Sequence, residues 1–370
     1  MRITRTRAAI ALGVIAASTI IVRGTGLPDA AAAGTVTYNA NVFTLVNGVS
    51  RAQLEPVVRD LSGEQATTVG GQTYTFSAPR YSNNHVPGQW SAPIDKAEQY
   101  MYEKMAGYGL SSVKYQVFPG DGNAMNFPEG RNVIGQITGT SRPSEIVVVG
   151  CHLDVMNDAS WPKGSAPGAD DNASGCSALL YMARIMAGYK LDRTVRFIAF
   201  DAEENAPWSN GGNTVGSGYN AAQSKLAKEN IVGMIQMDGL AYNPVQSAGA
   251  VMEMHVRKST ADAGGIDLAM YTMWRDAITT YGITGFVPTK IQQCTTNVNC
   301  GSFWSDNGSF WRWGGYHAVW LVEEEWGNYY NPNWHTPNDR ISTFDWTQYV
   351  GATKSLVALT AHQVGVIGPK

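Results

Sequence analysis

Two histidines and a set of carboxylates stand at the places where apolar runs give way to polar sequence. His152 and Asp154 follow Ile146–Gly150, and Asp170 and Asp171 lie in the stretch Gly168-Ala-Asp-Asp-Asn-Ala-Ser-Gly175. Glu203 and Glu204 follow Thr194–Phe200, Asp238 follows Ile231–Met237, and His335 opens His335-Thr-Pro-Asn-Asp339. Each has a plain reading taken alone: a loop histidine, a helix N-terminus capped by Asp, Asn and Ser, a solvated pair of acids. The adjacent glutamates are harder to set aside. Neighbours on an extended segment point to opposite sides, so one of the two is driven towards the interior without a partner, and a cation is the simplest remedy. Asp154 faces the same way as His152 and could accept the second ring N–H, the usual support for a metal-bound imidazole. Imidazoles mixed with carboxylates suit Zn²⁺ better than Mg²⁺ or Ca²⁺, which prefer oxygen alone. Two histidines and at least three carboxylates make five ligands, more than the three that one catalytic zinc takes from protein, but fit two metals if one carboxylate bridges them.

The elements that must position these residues are legible as periodicity. Val- and Ile-rich runs at Asn132–Gly139, Glu145–Gly150, Thr194–Phe200, Ile231–Met237 and Tyr316–Val322 alternate with helical patterns at Ser50–Leu61, Asp95–Gly107, Ser174–Ala187 and Ile266–Tyr281. Alternation of this kind predicts an α/β fold: a single globular domain with a mainly parallel, mixed β-sheet flanked by helices on both faces. In such sheets ligands gather at the carboxyl ends of the strands, where the polar residues above fall. Residues 34–130 form an N-terminal helical and loop portion, and 131–370 the core that carries the metal site. No internal repeat or Pro-rich linker divides 34–370.

The order His152-x-Asp154, Gly-Ala-Asp-Asp171-Asn-Ala-Ser-Gly, Glu203-Glu204, Asp238 and His335-Thr-Pro-Asn-Asp339 resembles the co-catalytic two-zinc aminopeptidases that include secreted bacterial leucyl aminopeptidases. The resemblance covers roughly Asn132 to the C-terminus. It implies the zinc-dependent exopeptidase fold and two Zn²⁺ per chain, with Asp171 bridging, one zinc on His152 and Asp238, and the other on Glu204 and His335. It leaves Glu203 as general base, Asp154 beside His152 as a second catalytic residue, and Asp339 as support behind the ligands. It also implies a cis peptide between Asp171 and Asn172. The implied reaction is hydrolysis of N-terminal residues from peptides with a free N-terminus, by a bridging hydroxide whose proton Glu203 takes and passes to the leaving amine.

Further features follow from the same resemblance. Cys294 and Cys300 occupy the place of a short disulfide loop, while Cys151 and Cys176 fall outside the ligand set and are expected as buried free thiols. Seven of the eleven tryptophans lie beyond residue 300, and the segments before the last histidine line the cleft in the family. Trp304, Trp326, Tyr329 and Tyr330 are therefore candidates for an apolar pocket that takes the first substrate side chain. Two departures stand beside these matches. Asn205–Val215 intervene between the Glu-Glu pair and Gly216-Ser217, and Ser305-Asp306-Asn307 stands where many relatives have Ser-Asp-His.

Composition bounds the rest. The chain has 370 residues, 44% hydrophobic and 15% charged, with a formal charge of −3, which excludes a disordered tail or a basic nucleic-acid wrapper. Arg2, Arg5 and Arg7 precede the uncharged run Ala8–Val22, and Ala30–Ala33 offer a small-residue cleavage site. Residues 1–33 therefore read as a signal peptide, too short in its apolar part to span a bilayer, and the product as a secreted chain, extracellular or periplasmic, with no membrane contact after cleavage. Its charge falls to −6, because the removed segment carries four arginines and one aspartate. A monomer is expected.

Competing readings are weaker. The chain has neither the G-x-S-x-G elbow of serine hydrolases nor H-E-x-x-H. Within the resembled superfamily a carboxypeptidase would need a basic group for the substrate's C-terminal carboxylate, whereas Glu323-Glu324-Glu325 favours a positive N-terminus. A glutaminyl cyclase, with a single zinc, would leave His152 redundant. A calcium-stabilised binding protein could use Gly120-Asp121-Gly122-Asn123, although the spacing misses the EF-hand and reads as a turn.

Overall fold

The computed structural model describes residues 36–86, 88–120, 129–156, 166–204, 214–244, 250–258, 260–292, 304–325 and 331–370. The N-terminal part comprises α1 (Ala40–Asn47), α2 (Arg51–Leu61), a hairpin of β1 (Thr67–Val69) and β2 (Gln72–Tyr74), and α3 (Pro93–Ala106). There follow β3 (Ser112–Pro119), β4 (Glu129–Ile137), β5 (Arg142–His152), α4 (Gly175–Met186), β6 (Tyr189–Leu191), β7 (Arg193–Phe200), α5 (Val215–Leu226) and β8 (Asn230–Met237). The chain continues through β9 (Val251–His255), α6 (Ile266–Tyr281), β10 (Val287–Ile291), the single turn α7 (Asn307–Ser309), β11 (Ala318–Glu323), α8 (Trp346–Val364) and β12 (Val366–Pro369).

Eight of these strands form one mixed sheet in the order β10-β9-β11-β8-β5-β7-β4-β3, while β12 pairs with β6 separately. Its centre, β7-β5-β8-β11, is parallel, and antiparallel pairings enter at β4, β3 and between β11 and β9. The expected fold class is therefore present, with more antiparallel edge than the sequence suggests. After β5 the chain passes through α4 to β7 on one side and then to β8 on the other. That reversal opens a crevice at the carboxyl end of β5, where α/β sheets bind ligands.

The pleat distributes β5 between two cores. Val147, Val149 and Cys151 join α4 and α8 in the larger cluster; Ile146 and Val148 join Ala221 of α5, Phe310 and Trp311 in the smaller one. Helices thus cover both faces. The nineteen-residue α8 is capped by Asp345, whose side chain accepts from Thr347 and Gln348 N–H, and it is buried on nearly all sides between the sheet, α1 and α6. No helix among the described residues is long and apolar enough to cross a membrane.

Candidate metal centre

All six candidate ligand or base residues lie at the carboxyl edge of the parallel strands. His152 ends β5, Glu203 and Glu204 follow β7, and Asp238 follows β8. Asp171 sits in the irregular turn 169–174 that leads into α4, and its peptide bond to Asn172 is cis, as the resemblance implied. Asn172 ties this turn to the sheet: its Nδ2 donates to Met237 O (2.8 Å) and its Oδ1 accepts Gly175 N–H (2.9 Å). A Cβ on Gly175 would lie 2.7 Å from Met237 O and closer still to Asn172 Oδ1, so only glycine lets α4 start this near β8.

Two ligand sets share one carboxylate. His152 Nε2 lies 3.0 Å from Asp171 Oδ1 and 3.0 Å from Asp238 Oδ1. His335 Nε2 lies 3.0 Å from Asp171 Oδ2 and 3.2 Å from Glu204 Oε1. Within each set the candidate donor atoms fall within 4.8 Å of one another. His335 adopts a left-handed conformation (φ 58°), uncommon for a side chain with a Cβ, and this turns its ring towards Asp171. Glu204 Oε1 is buried with no aligned hydrogen-bond donor, an acceptor aimed into the second set. Neutral imidazole nitrogens and carboxylate oxygens in two sets joined by one aspartate fit two zinc ions in donor type and number.

The electrostatics point the same way. Burial pushes Glu204 up to about 7, with His335 opposing and Asp171 reinforcing the shift. Burial disfavours protonated His152 and His335, yet Asp238 for the first and Glu204 for the second, with Asp171 for both, drive their pKa values well above the ordinary range. For Asp171 burial is outweighed by hydrogen bonds from both imidazoles, and its pKa lies below the usual carboxylate range. A cluster that raises its imidazoles and depresses its shared aspartate attracts positive charge, as protons or as divalent cations. Glu203 is raised well above its usual range by burial, against His152 and with the negative charges of Glu204, Asp238 and Asp306. A carboxylate with that affinity for protons suits a general base.

The supporting residues are more numerous than the sequence suggested. Asp339 accepts the N–H groups of Asp170 (2.8 Å) and Asp171 (3.1 Å). Asp170 turns away from the metal centre and accepts Leu240 and Ala241 N–H through Oδ1 (3.0 and 2.9 Å). For Asp154 the structure differs from the expectation. His152 Nδ1 lies 3.2 Å from the main-chain oxygen of Asp154 and 3.6 Å from its carboxylate, beyond hydrogen-bond length. The carboxylate is engaged instead by the N–H groups of Glu203 and Glu204, both at 3.1 Å. Ser305 Oγ donates to Asp238 Oδ2 (2.7 Å), a role the sequence reading missed although Ser305-Asp306 had been noted.

Buried Arg80 was missed altogether. It donates to the carbonyls of Leu153 (2.9 Å), Pro167 (2.9 Å) and Gly168 (3.3 Å) and also to Leu61, clamping both ends of the segment between β5 and Asp171. Nothing periodic marks it, since its partners are main-chain atoms distant in sequence. Cys151 and Cys176 are buried and unbridged, with Sγ atoms 2.6 Å apart, and Cys176 Sγ donates to His152 O at 3.0 Å. Trp304 directly precedes Ser305 beside the centre. Trp326, Tyr329, Tyr330, Cys294, Cys300, Asp121–Asn123 and the residues 205–213 lie outside the described residues. Of the other C-terminal tryptophans, Trp311 and Trp320 are core residues.

Other acidic clusters carry their own counter-charges. His85, Asp95 and Glu98 are met by Arg131, and Asp262, Asp267 and His317 by Arg257.

A switch-point crevice in a mixed α/β sheet, with two His/carboxylate sets joined by one aspartate and a proton-binding glutamate between them, places the chain in the class of metal-dependent hydrolases. Residues 132–360 match peptidase family M28, and the chain belongs to that family of zinc-dependent peptidases. A probable zinc metalloprotease of Pyrenophora tritici-repentis is 29% identical over 197 residues, 52% of this chain and 42% of the relative. Leucine aminopeptidase 1 of Trichophyton equinum is 30% identical over 243 residues, 62% and 57% of the two chains. The chain spans about half the length of these curated relatives. Among solved structures, Legionella pneumophila LapA aminopeptidase superposes with a TM-score of 0.63 at 18% identity, covering 89% of this chain and 75% of its own. A Bacteroides thetaiotaomicron glutaminyl cyclase reaches the same TM-score, 0.63, at 18% identity over 84% and 97%. These two likenesses show the fold.

Proposed function

We propose that the chain is a secreted aminopeptidase that removes N-terminal residues from peptides, using two zinc ions per chain. The observation that carries this reading is the sharing of Asp171 between His152/Asp238 and His335/Glu204, with the Glu203 carboxylate reaching within 4.8 Å of one member of each set, His152 and Glu204. The likeness to leucine aminopeptidases supports the aminopeptidase choice over the carboxypeptidase and cyclase alternatives. Zinc, when bound, supplies Lewis acidity towards a peptide carbonyl and towards water.

The protein's own part is placement and proton transfer. His152 and Asp238 would hold one ion and Glu204 and His335 the other, with Asp171 within reach of both. Glu203 receives a proton from the attacking water and delivers it to the leaving amine as the C–N bond breaks. Asp154 fixes the main chain of both glutamates, and Asp339 that of Asp171. Trp304, with Trp326, Tyr329 and Tyr330, would favour apolar or aromatic first residues. Residues 1–33 act as a cleaved signal peptide ahead of one catalytic domain, 34–370. Export favours the Cys294–Cys300 bridge, and the product is monomeric.

A panel of free and N-acetylated aminoacyl amides tests the activity, together with metal content. Free-amine substrates should be cleaved by protein carrying about two zinc ions per chain. Equal cleavage of blocked substrates would refute the aminopeptidase reading, and one zinc per chain would favour a cyclase-like centre.

A further inference from the structure

The turn that presents Glu203 is held from a part of the chain that precedes the family-matched stretch. Ala202 is left-handed (φ 60°), a conformation unfavourable for a residue with a Cβ. Its N–H donates to Asp201 Oδ1 (2.8 Å) and to Ser82 Oγ (3.1 Å), and the next two N–H groups donate to Asp154 as described. Three successive amides, those of Ala202, Glu203 and Glu204, are thus fixed by Asp201, Ser82 and Asp154.

Ser82 Oγ stands between the two carboxylates, 2.6 Å from Asp201 Oδ1 and 3.0 Å from Asp154 Oδ2, where its one O–H can donate to either. The other oxygen of Asp201, Oδ2, lies 2.8 Å from His85 Nε2, and His85 Nδ1 lies 2.6 Å from Asp95 Oδ1. A ring with a carboxylate oxygen at each nitrogen donates from both only as imidazolium. Burial opposes that charge, but Asp201, Asp95 and Glu98 outweigh it and push His85 up to about 12. Ser82 and His85 are both buried. The chain Asp95, His85, Asp201, Ser82, Asp154 therefore runs from α3 to the base of the catalytic turn.

We propose that Ser82 and His85 are positioning residues for the general base: by fixing Asp201 and Asp154 they hold the left-handed turn at Ala202 and so set where Glu203 stands. The inference rests on the aminopeptidase reading for the role of Glu203. Neither side chain touches a ligand or the reacting atoms. Their effect passes through the backbone of residues 201–204, where a misplacement of about 1 Å is enough to cost up to about a hundredfold in rate.

Ser82→Ala and His85→Gln test it in the zinc-loaded full chain, with two readouts. Amide hydrogen exchange, read by mass spectrometry, should accelerate about tenfold or more over residues 198–204 while α8 keeps its protection. In the same variants kcat for a free aminoacyl amide should fall about tenfold with KM within about twofold. Unchanged exchange at 198–204, or equal acceleration in α8, would overturn the proposal, the latter by reducing both residues to general stability. A rise in KM at constant kcat would also overturn it. Wild-type protein that cleaves no free-amine substrate defeats the aminopeptidase reading instead, and the exchange readout then still decides whether Ser82 and His85 hold the turn.

Discussion

The carboxylate of Asp339 accepts the main-chain N–H of Asp171 at 3.1 Å, so the residue shared by both ligand sets is anchored through its backbone while its side chain stays available. The other oxygen of Asp339 accepts Asp170 N–H at 2.8 Å, and Asp339 itself is fully buried. An asparagine there offers one acceptor where two amides donate. Asp339→Asn is expected to weaken zinc binding by about 10–100-fold, the usual effect of losing a residue that orients a ligand. Chelator competition measures it; wild-type affinity in the variant would show that Asp171 needs no such anchor.

Glu203 and Glu204 are neighbours to which the proposed function gives separable roles. Glu203→Gln should lower kcat by about 10²–10⁴-fold, the range for loss of a general base, with zinc content unchanged. Glu204→Gln should lose about one zinc per chain. Paired kinetics and elemental analysis separate the two, and full activity in Glu203→Gln would remove the base assignment.

Gly175→Ala tests how tightly α4 must approach the sheet. The added carbon meets Met237 O at 2.7 Å and Asn172 Oδ1 closer still, so the turn carrying Asp171 must shift. Denaturant titration should show a loss of about 1–3 kcal/mol, as for other overpacked core positions. A midpoint equal to wild type would mean that the turn yields freely.

The buried cluster around His85 gives stability a definite pH slope. Burial pushes Glu98 from a reference of 4.5 up to about 8, with His85 and Arg131 opposing and Asp201 reinforcing. Asp95 and Tyr115 also face this cluster. A carboxyl whose folded pKa is raised binds more protons folded than unfolded, so its contribution is full below about pH 4.5 and is lost as pH rises towards about 8. Glu98→Gln keeps the neutral form throughout. The wild-type minus variant difference in unfolding free energy should therefore decline across that window by up to about 1.4 kcal/mol per pH unit. A difference that stays flat would place Glu98 in its charged form.

Thiol counting addresses the cysteines. Without reductant, alkylation should leave native protein unmodified and should label two residues, Cys151 and Cys176, after unfolding, because both are buried and unbridged. Four labels would remove the Cys294–Cys300 bridge.

The sequence by itself determined the candidate site. His152, Glu204, Asp238 and the candidate base Glu203 are readable because each ends or directly follows a strand whose apolar run announces it, and because sheet physics gathers the carboxyl ends of parallel strands. The same periodicity located most core strands and α4 and α6. It did not announce α8, since a helix buried on nearly all sides has only a narrow polar stripe to set its period. Nor did it show that the Asp154 carboxylate serves the Glu203 and Glu204 amides rather than the His152 ring. Arg80, Ser82 and His85 lie in a turn-rich stretch without periodic signal, and their partners are the carbonyls of Leu61, Leu153, Pro167 and Gly168 and the carboxylates of Asp95 in α3 and of Asp154 and Asp201, which follow β5 and β7. Local sequence determines which side chains can bind metal, because residue type and strand position are local properties. Tertiary structure alone decided what holds them in place, because a buried polar group is satisfied by whichever donor or acceptor folding brings beside it.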